Sequence, residues 1–158
     1  MKLIVMSDTH GQTNEIINII NDINDADLVI HLGDYAKDAK KISEHIKQDI
    51  VYVKGNCDFR GKNTNEDEIL HIQGKKIFLT HGHKYGIKYS LNGIYYKAKE
   101  INADIVLFGH SHVPLGVVHD DILFFNPGSP TIPRGMSKKS YGIIEINKKI
   151  DFKHQIIG

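Results

Sequence analysis

Two carboxylates, one amide and four imidazoles recur in this chain at one kind of place, the end of an apolar run. Asp8 and His10 follow residues 3–6, Asp34 follows 28–30, and Asn56 follows 50–53; His81 follows 77–79, and His110 with His112 follow 105–108. Mixed oxygen and nitrogen donors with no thiolate cluster suit divalent transition metals, whereas magnesium and calcium prefer all-oxygen shells. A carboxylate has two oxygens, so Asp34 is the candidate to bridge two cations. Two dications held by Asp8 and Asp34 with a hydroxide between them leave a local charge of roughly +1, enough to attract phosphate. Manganese is placed first among the ions, with nickel, cobalt, iron and zinc open. Any one of these residues alone would read as structural; it is the ordered set that points to a two-metal centre.

The apolar runs must position those side chains. They are rich in β-branched and aromatic residues, as buried strands are, and in open α/β sheets ligands gather at the carboxyl ends of the strands. Gly33, Gly55 and Gly109 precede ligand groups where the chain must turn sharply or let backbone pass close by. Helical spacing of apolar residues marks 14–23, with Thr13 as its expected N-cap, then 36–46 and 91–101. Strands alternating with helices imply right-handed crossovers and a largely parallel sheet. A hairpin is expected at 68–73 and 75–80, around Gly74. After Pro114 only strands remain, at 115–118, 122–125, 141–146 and 150–156, which predicts a second, mainly antiparallel sheet. The expected fold class is α/β, a sandwich of two sheets flanked by helices, with residues 1–158 as one domain.

Composition narrows the function classes. The 158 residues are 41% hydrophobic and 25% charged, ordinary for a globular domain with a core. A formal charge of +1 gives no basic face for tracking DNA or RNA and none for an anionic membrane, so no nucleic-acid polymer and no membrane partner are expected. The single cysteine, Cys57, rules out an intramolecular disulfide and fits a reducing cytosol. No run approaches the length of a membrane span, and a cytoplasmic protein is expected.

The motifs Asp8-Thr9-His10, Gly33-Asp34, Gly55-Asn56-Cys57-Asp58, His81 and Gly109-His110-Ser111-His112 resemble those of the calcineurin-like metallophosphoesterase superfamily. In detail they are similar to its small bacterial and archaeal phosphodiesterase branch, which carries the Gly-Asn-Cys-Asp sequence. The resemblance covers nearly the whole chain in the family's order, and Asn126-Pro127-Gly128-Ser129-Pro130 looks like that branch's late loop. It implies an α-β-β-α sandwich of two mixed sheets. It also implies that Asp8, His10, Asp34 and His112 hold one metal, while Asp34, Asn56, His81 and His110 hold the other. A homodimer is a further implication of the branch.

The reaction expected of such a centre is hydrolysis of a small phosphodiester by a metal-bridging hydroxide. Two metals about 3.5–4 Å apart lower the pKa of bound water towards roughly 7 and neutralise charge on the phosphoryl oxygens. Asp34, Asn56 and His83 are the residues assigned a catalytic part. Many superfamily members place a histidine after the motif asparagine, where it can protonate the leaving group; here that position is Cys57. A bias towards good leaving groups follows, unless His83 or water supplies the proton. Asp58 is expected to order the Asn56 loop. Phosphate binding and solvent exposure weigh equally for Arg134. His31 reads as packed and hydrogen-bonded, and His45, His71, His119 and His154 as surface positions. The alternatives are a phosphomonoesterase of the same fold and a non-enzymatic scaffold resembling a retromer subunit.

Overall fold

The alternation of apolar residues along the first strand decides the layering. In β1 (Lys2–Met6), Leu3 and Val5 face one way and Ile4 and Met6 the other, and all four are buried. A strand buried on both faces lies inside a multilayered domain. The computed structural model describes residues 1–59 and 64–158. Its remaining elements are α1 (Asn14–Asp22), β2 (Leu28–His31), α2 (Ala36–Ser43), β3 (Asp49–Tyr52), β4 (Asp67–Ile72) and β5 (Lys75–Thr80). A 3₁₀ turn (His83–Tyr85) follows, then α3 (Asn92–Ile101), β6 (Ile105–Phe108), β7 (Leu115–His119), β8 (Ile122–Asn126), β9 (Ser140–Ile146) and β10 (Ile150–Ile156).

Two five-stranded sheets result, in the orders β10-β9-β1-β2-β3 and β4-β5-β6-β8-β7. Both are mixed. In the first, β1, β2 and β3 are parallel, and β9 runs antiparallel to β1 and to β10. In the second, β5, β6 and β8 are parallel, with β4 and β7 antiparallel at the edges. The expected division into one parallel and one antiparallel sheet is therefore corrected. The final hairpin joins the first sheet, and β8 crosses back to lie parallel to β6.

Leu3, Val5, Leu28 and Ile30 of the first sheet pack against Ile77, Leu79, Ile105, Leu107, Leu123 and Phe125 of the second, forming the central core. The outer residues Ile4, Met6 and Val29 meet Ile16 and Ile20 of α1 and Ile42 of α2. Phe78, Val106, Phe108 and Phe124 meet Ile94 and Ala98 of α3. The layers are thus helix, sheet, sheet, helix. Leu107 is fully buried between the sheets; Leu107→Ala is expected to cost about 2–5 kcal/mol by leaving a cavity, measured by urea unfolding in the presence of chelator.

One local expectation holds in position only, and another is corrected. Thr13 stands at the N-cap of α1 but makes no side-chain capping bond, and its hydroxyl is buried without a partner. The helix over 36–46 stops at Ser43, where Ser43 Oγ donates to the Lys40 carbonyl and the His45 N–H to that of Ile42, tightening the last turn. Among the described residues no helix is long and apolar enough to cross a membrane.

Candidate metal centre

Every predicted ligand lies on a loop leaving the carboxyl end of a strand. Asp8 and His10 follow β1, Asp34 follows β2, Asn56 follows β3, His81 follows β5, and His110 and His112 follow β6. The backbone there is unusual. Asp8, His10, Asp34, His110 and His112 all have positive φ, between 45° and 67°. Non-glycine residues reach this region at a cost, and such strain collects where a side chain must be aimed.

Supporting bonds hold the loops in place. The Asp8 N–H donates to the Gly33 carbonyl, joining the first two loops. Ser129 and Thr131 hydroxyls donate to the Asp8 carbonyl, at 2.9 and 3.1 Å. Asp58 accepts from the Gly55 and Ala36 N–H groups, at 2.8 and 2.7 Å, ordering the Asn56 loop as expected. His31 is fully buried, and burial holds its pKa below the usual value. Its Nδ1 accepts from the Gly33 N–H, so Nε2 carries the proton and donates to Thr9 Oγ1; Thr9 in turn donates to Asp38. Asp38 also accepts from the Gly11 N–H at 2.7 Å.

The ligand atoms converge in two clusters. Asp8, His10, Asp34 and His112 form one and Asp34, His81 and His110 the other, with the ligand atoms of each within 4.8 Å of one another. Asp34 belongs to both. Asn56 Oδ1 lies 3.1 Å from His81 Nε2 and so joins the second cluster.

The ring protons fix which histidine nitrogens face inward. His81 Nδ1 donates to the Leu32 carbonyl and His112 Nδ1 to that of Ile132, at 2.8 and 2.6 Å. A neutral ring then presents a lone pair at Nε2. The His81 lone pair would face Asn56 Oδ1 and Asp34 Oδ1, the latter 3.3 Å away, and that of His112 would face Asp8 Oδ1 at 3.1 Å. Lone pairs facing oxygens need a proton or a metal cation between them. His10 Nε2 and Asp8 Oδ1 are buried without a hydrogen bond of good geometry, although Asp8 Oδ2 is occupied by Ser7 Oγ and the His110 N–H. These orphaned donor atoms, clustered around a shared carboxylate, fit a pair of divalent metals.

Without metal, protons serve instead. Burial pulls the His81 and His112 imidazoles down, but hydrogen bonds that the protonated rings donate to Asp34 and Asp8 respectively, together with the charges of those carboxylates, outweigh it and hold both above the ordinary histidine value. Burial, the His81 charge and Lys88 push His110 down to about 4. Burial also opposes ionisation of Asp34, yet the His81 hydrogen bond keeps its carboxyl well below the usual range. A raised imidazole pKa means that a proton must leave before metal enters, so affinity rises with pH through that value. Metal binding is expected to release protons from His81 and His112, more of them as the pH is lowered, checked by calorimetry in buffers of different ionisation enthalpy.

Cys57 and His83 border the centre. Partial desolvation and the neighbouring Asp34 carboxylate push the Cys57 thiol up to about 11, leaving it neutral and a reluctant donor. The His83 ring stands 5.5 Å from that of His81 and 6.1 Å from that of His110, and burial lowers its pKa. The Arg134 side chain is exposed, and its backbone N–H donates to the His112 carbonyl.

Sequence comparison shows the family. A family model described as the calcineurin-like phosphoesterase superfamily domain matches residues 1–149. The chain belongs to that superfamily. It is 38% identical over 148 residues to the probable metallophosphoesterase YsnB of Bacillus subtilis, covering 92% of this chain and 85% of that one. A solved structure described as a novel archaeal phosphodiesterase superposes with a TM-score of 0.81 at 26% identity, over 99% of this chain and 100% of the other. Vps29 of Entamoeba histolytica, solved with zinc, gives 0.80 at 21% identity over 98% of each chain, a likeness of fold alone.

Sequence reasoning passed over Asp38, Ser129 and Thr131 as individual supports. Asp38 had one readable signal: it is an acidic residue beside Ala39 and one turn from Ile42 on a packed helix face, hence buried and in need of a partner. His154, expected at the surface, stacks on Phe125 at 4.5 Å and bonds the Asn126 carbonyl. An edge strand that packs its side chains under the loop gives no sign of it in its alternation.

Proposed function

We propose that this chain is a metal-dependent phosphodiesterase of the small Gly-Asn-Cys-Asp branch, hydrolysing a small phosphodiester with two divalent transition ions, manganese foremost. The observation that carries the reading is the pair of ligand clusters sharing Asp34. When bound, two such ions supply a water acidic enough to ionise near neutral pH and positive charge for the phosphoryl oxygens. Asp34 and Asp8 supply the negative charge that retains them. Asn56 offers Oδ1 as a ligand; one amide N–H is directed to Cys57 Sγ, and the other is left for a phosphoryl oxygen. His83, held neutral, accepts or donates one hydrogen bond to substrate beside His81 and His110. Cys57 contributes no proton at neutral pH, which favours substrates with good leaving groups.

A diester has two substituents, and two cavities are walled in part by chain neighbours of the ligands. One, about 500 Å³, includes Tyr35 and Cys57 beside the first-sheet ligands. The other, about 520 Å³, includes Ser111 and Arg134 beside the second-sheet ligands. Space on both flanks supports a diester over a monoester. The protein is proposed to act as a single domain in the cytoplasm.

The test is hydrolysis of bis(p-nitrophenyl) phosphate and p-nitrophenyl phosphate by metal-stripped protein with manganese, nickel, cobalt, zinc or magnesium restored singly. Diester turnover returning with metal is the expected result. Monoester preference would make the protein a phosphomonoesterase, and no turnover with two ions bound would make it a scaffold.

A further inference from the structure

The cavity beside Asp34 and Asn56 has a chemistry of its own, and the metal centre does not use it. Its walls include Tyr35, Tyr52 and Phe59, with Lys37 and Lys40 from α2. It adjoins the ligands through two of its wall residues: Tyr35 follows Asp34 and its ring lies 4.9 Å from that of His10, while the Cys57 N–H donates to Asp34 Oδ1. Phe59 is 92% exposed, an aromatic ring left at the rim with a free face. Lys37 Nζ sits 5.1 Å from the Tyr35 ring centroid, and neither Lys37 nor Lys40 forms an ion pair among the described residues. The one carboxylate in the wall, Asp58, is turned inward to the Gly55 and Ala36 N–H groups.

Aromatic faces attract a planar ring, and uncommitted lysines attract an anion. We infer that this cavity is a substrate subsite for a nucleoside ester group bearing a second phosphate, the base lying against Tyr52 and Phe59 and the phosphate against Lys37 and Lys40. The inference rests on the phosphodiesterase reading and names the class of diester the site selects. A ring of base size fits easily in the stated volume, within the ordinary range for ligand pockets. The methyl ester of the same phosphoryl group would leave the cavity unused.

Three substrates with one leaving group test it: methyl p-nitrophenyl phosphate, the p-nitrophenyl ester of thymidine monophosphate, and that ester with a second phosphate on the sugar. The native metal-loaded protein is expected to prefer the nucleoside ester to the methyl ester by about tenfold in kcat/KM, the scale of base–aromatic stacking. Phe59→Ala and Tyr52→Ala should each reduce that preference while leaving methyl ester turnover unchanged. Lys40→Gln should remove only the extra gain from the second phosphate. Phe59 is so exposed that its alanine variant tests the subsite without threatening the fold. Equal preference in the native protein and the variants overturns the inference while the phosphodiesterase reading stands. If no ester is turned over, that reading fails instead, and calorimetric binding of thymidine bisphosphate decides the subsite: weaker binding to Phe59→Ala supports it, and equal or absent binding overturns it.

Discussion

Asp34→Asn is expected to leave the protein folded but unable to keep two metals, with diester turnover down by at least about 100-fold. Asp34 is the member common to both ligand clusters. An amide has the same shape but one acceptor oxygen and no charge, so it cannot neutralise and join two cations. Even partners one bond removed from a metal cost 10–100-fold when lost, and a shared ligand costs more. Elemental analysis should find no more than one equivalent of metal, with circular dichroism unchanged. Asp8→Asn, whose residue belongs to one cluster, should retain one equivalent. Two equivalents retained in Asp34→Asn would sink the bridging assignment.

The second large effect is expected from Gly33→Ala, which adds one methyl group and touches no ligand directly. Gly33 has φ +92°, and a Cβ there would stand 2.6 Å from the Gly55 nitrogen and 2.9 Å from the Lys54 carbonyl carbon. Both obstacles are backbone and cannot swing aside. Relief requires moving the loop that aims Asp34 or the loop that carries Asn56. The left-handed conformation alone costs roughly 1–2 kcal/mol, and the clash should bring the total to about 3 kcal/mol or more. Gly11 is the control: its φ is +84°, and nothing lies within 4 Å of a Cβ there. Gly11→Ala should show the conformational cost alone, about 1–2 kcal/mol. Urea unfolding with chelator, together with metal content, separates the two, and matching losses in both variants would show that loop contact at Gly33 does not matter.

The strands and the ligand positions were legible because they share one signal, a short apolar run that ends in a polar residue able to bind metal. That signal is local, and β1, β2, β5 and β6 each carry it. The sheet assignment of the last four strands was not legible. Whether β9 pairs with β1 or with β8 depends on contacts between distant segments, and the alternation of Tyr141, Gly142 and Ile143 suits either neighbour. The same limit hid the supports of the centre. Ser129 and Asp8 are 121 residues apart in the chain, and a serine on a proline- and glycine-rich loop reads only as a turn. The Asn56 loop was readable in part because Asp58 bonds close to home, to Gly55 and Ala36.

The two sheets contribute different donors. The first supplies the oxygens of Asp8, Asp34 and Asn56 with one imidazole, from His10; the second supplies the three imidazoles of His81, His110 and His112. A chain in which only the first sheet had formed would offer a hard, oxygen-rich niche, the type that suits magnesium. Docking of the second sheet changes the chemical taste of the centre as it closes, bringing in the nitrogen ligands that favour transition ions. The nitrogen donors reach the oxygens only where the two sheets meet, so the preference among metals belongs to the closed sandwich and to neither sheet alone.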